Sequence, residues 1–179
     1  MKTLSLKVFT LFIIGLVSIT SLKAQSTDKS KRPSPPATAT GKIDGATITV
    51  DYSSPSVRGR KIFGELEAYG KVWRAGANEA TIITTDKDIT VGGKPLKAGK
   101  YSFFVTPNET EWTVFFNSET GQWGTKEGGV TNMDASKTVV SFNVPVKKLD
   151  QLVEKLAYVV SDKGIELRWE KSSILIEVK

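Results

Sequence analysis

The densest group of chemically capable side chains lies between Tyr52 and Thr81. Three of the chain's five arginines, Arg58, Arg60 and Arg74, fall there with Tyr69, Trp73, Asn78 and Glu79. A guanidinium fork matches the oxygens of a carboxylate, phosphate or sulfate two at a time, and a flat aromatic offers a stacking face. The grouping points to a polar, cation-lined pocket for an anionic small molecule or a glycan. Arg58 and Arg60 would hold an anionic group, Asn78 and Glu79 would take hydroxyls, and Trp73 or Trp123 would stack. The same residues also suit a structural network in which Arg74 pairs with Glu79 and Asn78 turns the chain between strands. Arg58 and Arg60 flank Gly59 in a connection, where binding residues tend to sit.

What is missing narrows the chemistry further. The chain has no histidine and no cysteine, which removes the usual general base, the commonest zinc ligand and every Ser-His or Cys-His arrangement. Two carboxylate pairs, Glu65 with Glu67 and Asp86 with Asp88, stand two residues apart. On a strand such neighbours share a face about 7 Å apart, within reach of glycosidase geometry. Asp86-Lys87-Asp88 beside Gly92-Gly93 nevertheless reads more simply as a solvated turn. No calcium-binding D-x-D-x-D-G loop and no glycine-rich phosphate loop occurs. Neither a cofactor nor a metal is therefore expected. A carboxylate-dependent hydrolase is the rival class, with Glu79 its best candidate and a second carboxylate needed within about 5–10 Å. A structural or assembly module, offering an apolar patch or an open sheet edge, is a third.

The elements that must position these residues begin with the N-terminus. Lys2 and Lys7 precede an apolar run from Val8 to Val17, and Leu22-Lys23-Ala24 before Gln25 makes a cleavage site. This is the layout of a secretory signal peptide, and the run is only about half the ~20 residues of a membrane-spanning helix. Removing residues 1–24 leaves 155 of 179 residues, enough for one domain, and takes the net charge from +6 to +3 because Lys2, Lys7 and Lys23 go with it. That charge gives no ground for nucleic-acid binding, and no later segment is apolar enough to span a membrane. The expected location is periplasmic or extracellular, without disulfides.

Residues 25–40 are polar and proline-bearing, and read as a flexible or extended leader. From 41 to 179 the texture is that of strands: 46–52, 79–85, 88–91, 100–105, 111–116 and 138–144, rich in β-branched and aromatic residues. Trp112 alternates with Val114 and Phe116 and reads as core, whereas Trp123 sits in a glycine-rich loop. Segments 165–170 and 174–178 are expected to form a hairpin around Lys171-Ser172-Ser173, and 146–160 fits either a helical stripe or a strand. Short strands at this spacing suggest an all-β, antiparallel β-sandwich or jelly-roll-like single domain.

Several runs together carry a family likeness: Val50 to Arg60, Gly70 to Thr81, Gly99 to Phe103, Glu111 to Val114, and Trp123-Gly124. Across residues 37–179 the chain resembles the exported bacterial family named domain of unknown function 2911, with Trp73 to Thr81 the most specific part. The resemblance implies export and a β-rich domain, and favours strand over helix in 146–160. It brings no catalytic residues. The expected function is a non-catalytic binding module for a glycan, an anionic ligand or an envelope protein. Mass spectrometry of the protein recovered outside the cytoplasm should find a chain beginning at Gln25; a chain retaining Met1 to Ala24 would refute the cleavage.

Overall fold

The computed structural model describes residues 28–179. The expected signal peptide and cleavage site lie outside the described residues. Among the described residues, alternation of apolar and polar side chains builds nine strands: β1 (Pro36–Ile43), β2 (Ala46–Ser53), β3 (Thr81–Thr85), β4 (Ile89–Val91), β5 (Lys94–Leu96), β6 (Gly99–Thr106), β7 (Glu111–Asn117), β8 (Thr138–Ser161) and β9 (Gly164–Ile176). In β2 the residues Ala46, Ile48 and Val50 are buried while Thr47, Thr49 and Asp51 are not. In β7 Trp112, Val114 and Phe116 are buried in the same rhythm, the period-2 pattern of a sheet with one face on a core.

Seven strands form one antiparallel sheet in the order β1-β2-β3-β6-β7-β8-β9, a meander from which the β4–β5 hairpin departs between β3 and β6. The expected all-β, antiparallel single domain is what forms, as one sheet rolled into a nearly closed barrel. Segment 146–160 is strand, part of the 24-residue β8. Its beginning pairs with β7, from Thr138 opposite Asn117 to Pro145 opposite Glu111, and its remainder pairs with β9. Two readings need correction. The expected hairpin around Lys171–Ser173 does not form; β9 runs through these residues and pairs with β8 on both sides of them. Residues 36–40, read as leader, form the start of β1 against Ser53 to Thr49, so the folded domain begins before residue 41.

The β8–β9 ribbon is sharply bent. Its register shifts between Lys148 and Val153 and again between Val153 and Ala157, and Glu170 takes a positive φ of 55°. Such shifts concentrate bending and twist. The bend brings the ribbon's tip back to the far end of β9. A β-carbon on Gly164, whose φ is 131°, would lie 2.1 Å from the Ile176 carbonyl oxygen. The second half of β8 also meets the start of the sheet. Leu156 N donates to Pro55 O (2.9 Å), Val57 N to Glu154 O (2.8 Å), and the Ser54 hydroxyl to Leu156 O (2.7 Å). Past β9, reciprocal bonds between Thr90 and Lys179 (2.7 and 3.0 Å) fasten the β4–β5 hairpin to the C-terminus.

The core is centred on four rings. Trp73 stacks on Trp169 at 5.6 Å, and Phe63 meets Trp73, Trp112 and Trp169 at 6.0, 4.6 and 6.0 Å. Truncating a buried ring of this size to alanine costs about 3–5 kcal/mol. The cluster ties the Phe63 and Trp73 connection to strands β7 and β9. Tolerance at the ribbon tip should be low. Gly164→Ala is expected to destabilise the domain by on the order of 3 kcal/mol, read as a lower urea midpoint, because it adds both backbone strain and a clash with main chain. A midpoint equal to wild type would mean that the tip does not pack on Ile176.

Candidate functional site

The run from Trp73 to Thr81 is a tight, strained connection into β3. Ala75 and Asn78 adopt positive φ angles of 51° and 59°, conformations that persist when their surroundings dictate them. Here the Ala75 carbonyl accepts from the Tyr158 hydroxyl (2.8 Å) and the Thr81 hydroxyl (3.0 Å), and Trp73 Nε1 donates to Gly76 O (3.0 Å). The turn delivers Asn78 and Glu79 to the surface. Loop 118–137 is laid alongside: Ala80 N donates to Gln122 O (3.2 Å), Gly124 N to Asn78 O (3.0 Å), and the Thr131 hydroxyl to Val72 O. Gly124 is required by close approach, since a β-carbon there would stand 1.9 Å from Arg74 Cδ. Trp123, 41% exposed, comes to rest beside Glu79.

The partner of Glu79 is not Arg74. Arg32 Nη1 donates to both carboxylate oxygens of Glu79 (3.0 and 2.9 Å), and Lys29 Nζ lies 3.0 Å from one of them. Burial works to raise the pKa of Glu79, but hydrogen bonds led by those from Lys29 and Arg32 outweigh it and hold the carboxyl at about 2. The Arg32 guanidinium also lies over the Trp123 ring, 5.8 Å from its centroid. Asn78 Nδ2 donates to Ser34 O (2.9 Å), and Arg58 Nη2 to Pro33 O (3.1 Å). The N-terminal arm, residues 28–35, therefore covers this cleft. No sequence signal marked Arg32 for the role, because it stands in a polar, proline-bearing stretch with no strand or helix pattern.

The remaining predicted residues go elsewhere. Arg60 donates from Nε to Val57 O (3.0 Å) and from Nη2 to Ser56 O (2.7 Å), so its guanidinium holds its own turn. Trp73, expected as a stacking face, is only 2% exposed and belongs to the core, a correction forced by its packing on Trp169. Tyr69 lies half-buried against Gly64. Arg74 has a buried Nε without a hydrogen-bond partner, and burial lowers its basicity against the attraction of Glu67. Burial pushes the Glu67 carboxyl up to about 7, opposed by Arg74 and then Arg60. The carboxylates Asp86 and Asp88 serve turns, accepting from Thr47 N (2.7 Å) and from Ala98 N and Lys97 Nζ (both 2.8 Å). Among the described residues no three potential metal ligands converge, and no helix is long and apolar enough to cross a membrane.

The bent ribbon makes a separate concavity of about 840 Å³. Its walls include Phe142, Val159 and Leu175, and its polar groups include Lys147, Glu166 and Arg168. Glu166 and Arg168 form an ion pair, and the Arg168 guanidinium holds the Glu166 carboxyl below its ordinary range. Arg168 Nε is buried without a partner. None of the eight residues singled out from the sequence lines this groove. The alternation Ile165-Glu166-Leu167-Arg168-Trp169 does put Glu166 and Arg168 on one face, but nothing in it announces the bend that turns that face into a wall.

The family described as "Protein of unknown function (DUF2911)" matches residues 34–178, nearly the whole described chain. The protein belongs to the DUF2911 family. No curated protein and no solved structure matches it. The matched span of this DUF2911 chain contains both the cleft and the groove, and begins within the arm at Ser34.

The two perturbed carboxylates should leave opposite signatures in stability. From pH 4.5 to about 7 the folded protein retains a proton at Glu67 that the unfolded chain releases, so stability falls as pH rises through that window. Glu67→Gln should remove this slope, and chemical denaturation at pH 5 and pH 8 reads it. Glu79 contributes fully above pH 4.5 and loses its contribution as pH falls toward 2. Glu79→Gln should flatten that acid arm only. Unchanged profiles in both variants would contradict these assignments.

Proposed function

We propose that this protein is an exported, non-catalytic binding module that takes a polar, hydroxyl-rich ligand such as a glycan in the groove of the β8–β9 ribbon. The observation that carries the reading is the groove itself: about 840 Å³, with an apolar wall and the Glu166–Arg168 pair projecting from one strand face. Ligand sites are typically concavities of about 300–1,000 Å³ with apolar walls and a few orienting polar groups. A carboxylate and a guanidinium side by side offer acceptors and donors to neighbouring hydroxyls. Phe142, Val159 and Leu175 supply apolar surface for the ring faces of a sugar.

Support for the non-catalytic part comes from the acids. Glu79, the best single candidate for hydrolysis, is closed against Arg32 and Lys29 and stays ionised, so it cannot donate a proton near neutral pH. Glu67, held near 7 by burial, has Arg74 and Arg60 as the charges that act on it. The charged, apolar and small-residue layout of residues 1–24 supports the exported part of the reading.

Thermal shift of the purified protein against glycans, peptidoglycan fragments and organic anions tests the reading. A saturable rise in Tm for one class is expected, lost in Arg168→Ala and in Glu166→Gln and kept in the Arg58→Ala/Arg60→Ala double variant. A rise that survives both groove substitutions would move the site away from the ribbon. A flat panel would leave a protein of the envelope as the partner.

A further inference from the structure

The ribbon groove does not end at the ribbon tip. A second concavity of about 540 Å³ adjoins it, and Asp162, Lys163, Leu175 and Glu177 line both. Three separate stretches of chain frame this extension: the β1–β2 turn at Asp44, the ribbon turn at Asp162-Lys163, and the last residues from Glu177 to Lys179. Each is held through its main chain. Asp44 and Gly45 close a two-residue turn at φ 47° and 79° between the paired Ile43 and Ala46. Gly92 N donates to Glu177 O (3.0 Å), and the close approach of Gly164 to Ile176 fixes the ribbon turn. At the other end of the groove the Phe142 ring fills the space beside Gly92, where a β-carbon would stand 2.3 Å from it. Walls fixed in this way leave little ordering for a ligand to impose, which lowers the cost of binding.

Charge narrows what this trough accepts. The first concavity sets Lys147, Lys163 and Arg168 against Asp162, Glu166 and Glu177, and the second adds Asp44 and Lys179, one of each sign. Cations and carboxylates therefore balance along its length, which gives a polyanion no net attraction. A neutral chain of hydroxyls, each both donor and acceptor, can use groups of either sign. Leu175, 37% exposed where the concavities meet, offers apolar surface to a ring crossing from one to the other. We infer that the trough takes a neutral, linear oligosaccharide whose consecutive units run from the Glu166–Arg168 pair past Leu175 to Asp44 and Lys179. The inference rests on the ribbon groove being a glycan site, and adds the length and the charge of the glycan. Units bound at the two ends are covalently joined, so engagement of the second is intramolecular, and affinity climbs with chain length until both concavities are filled.

Calorimetric titration of the unaltered protein with cello-, malto- and N-acetylchito-oligosaccharides of two to six units tests it. In the series that binds, the hexasaccharide is expected to bind tighter than the disaccharide by about tenfold or more. Oligogalacturonates of equal length should bind no tighter than their neutral counterparts. The double variant Asp44→Asn/Lys179→Ala should erase the length dependence; both positions are exposed, and asparagine tolerates the positive φ at 44. Arg168→Ala should weaken binding at every length. Equal affinity for disaccharide and hexasaccharide, or tighter binding of the oligogalacturonates, would overturn the inference while leaving the groove a glycan site. Absence of binding in every series would remove the glycan reading itself, and the inference with it.

Discussion

A single missing β-carbon underlies the shape of this protein. Gly164 stands where any side chain would strike the Ile176 carbonyl, in a backbone conformation that L-residues rarely adopt. Because it fits, the β8–β9 ribbon can double back, and the far half of β8 reaches the opening strands of the same sheet. Closure of the barrel and the existence of the groove both follow from that fold-back. The groove is thus a product of the chain path, with its polar residues placed by ordinary strand alternation on a face that the bend has made concave.

The second organising element is the contact between Trp73 and Trp169. It joins a connection lacking regular secondary structure to β9, with Phe63 and Trp112 completing the cluster. Once Trp73 is anchored, the strained turn at Ala75 and Asn78 is dictated by the hydroxyls of Tyr158 and Thr81. That turn carries Glu79 and Asn78 outward, and loop 118–137 follows because its Gln122–Gly124 backbone pairs with Asn78 and Ala80. The surface cleft is therefore assembled from the core outward. Its polar residues are rigid for reasons that lie in the aromatic cluster beneath them.

Much of this was legible in the sequence wherever local physics decides the outcome. Alternation in β2 and β7, the Gly92-Gly93 turn and the core role of Trp112 all depend on neighbours within a few residues. The run Trp73 to Thr81 stands out by its residue types, yet composition does not distinguish the inward Trp73 from the outward Trp123. Contacts across long separations were opaque. Arg32 reaches Glu79 across 47 residues, and the fold-back of β9 depends on register shifts and a positive φ at Glu170 that no residue type announces. The same limit explains why Lys171–Ser173 looked like a hairpin turn: small and polar residues there serve a bend in one strand.

The hydrogen bond from Ser54 to Leu156 spans 102 residues, and it has a kinetic consequence. Pairings this distant in sequence form only after a large loop is closed, which makes barrels of this kind slow to fold. On a chain emerging from its N-terminus, the strands up to β7 can assemble as a meander long before β8 supplies their closing partner. During that interval the segment after β2 presents unsatisfied main-chain groups at an open edge. The last quarter of the chain thus decides when the protein stops being a sticky, incomplete sheet. Truncations there should yield aggregates and not smaller folded barrels.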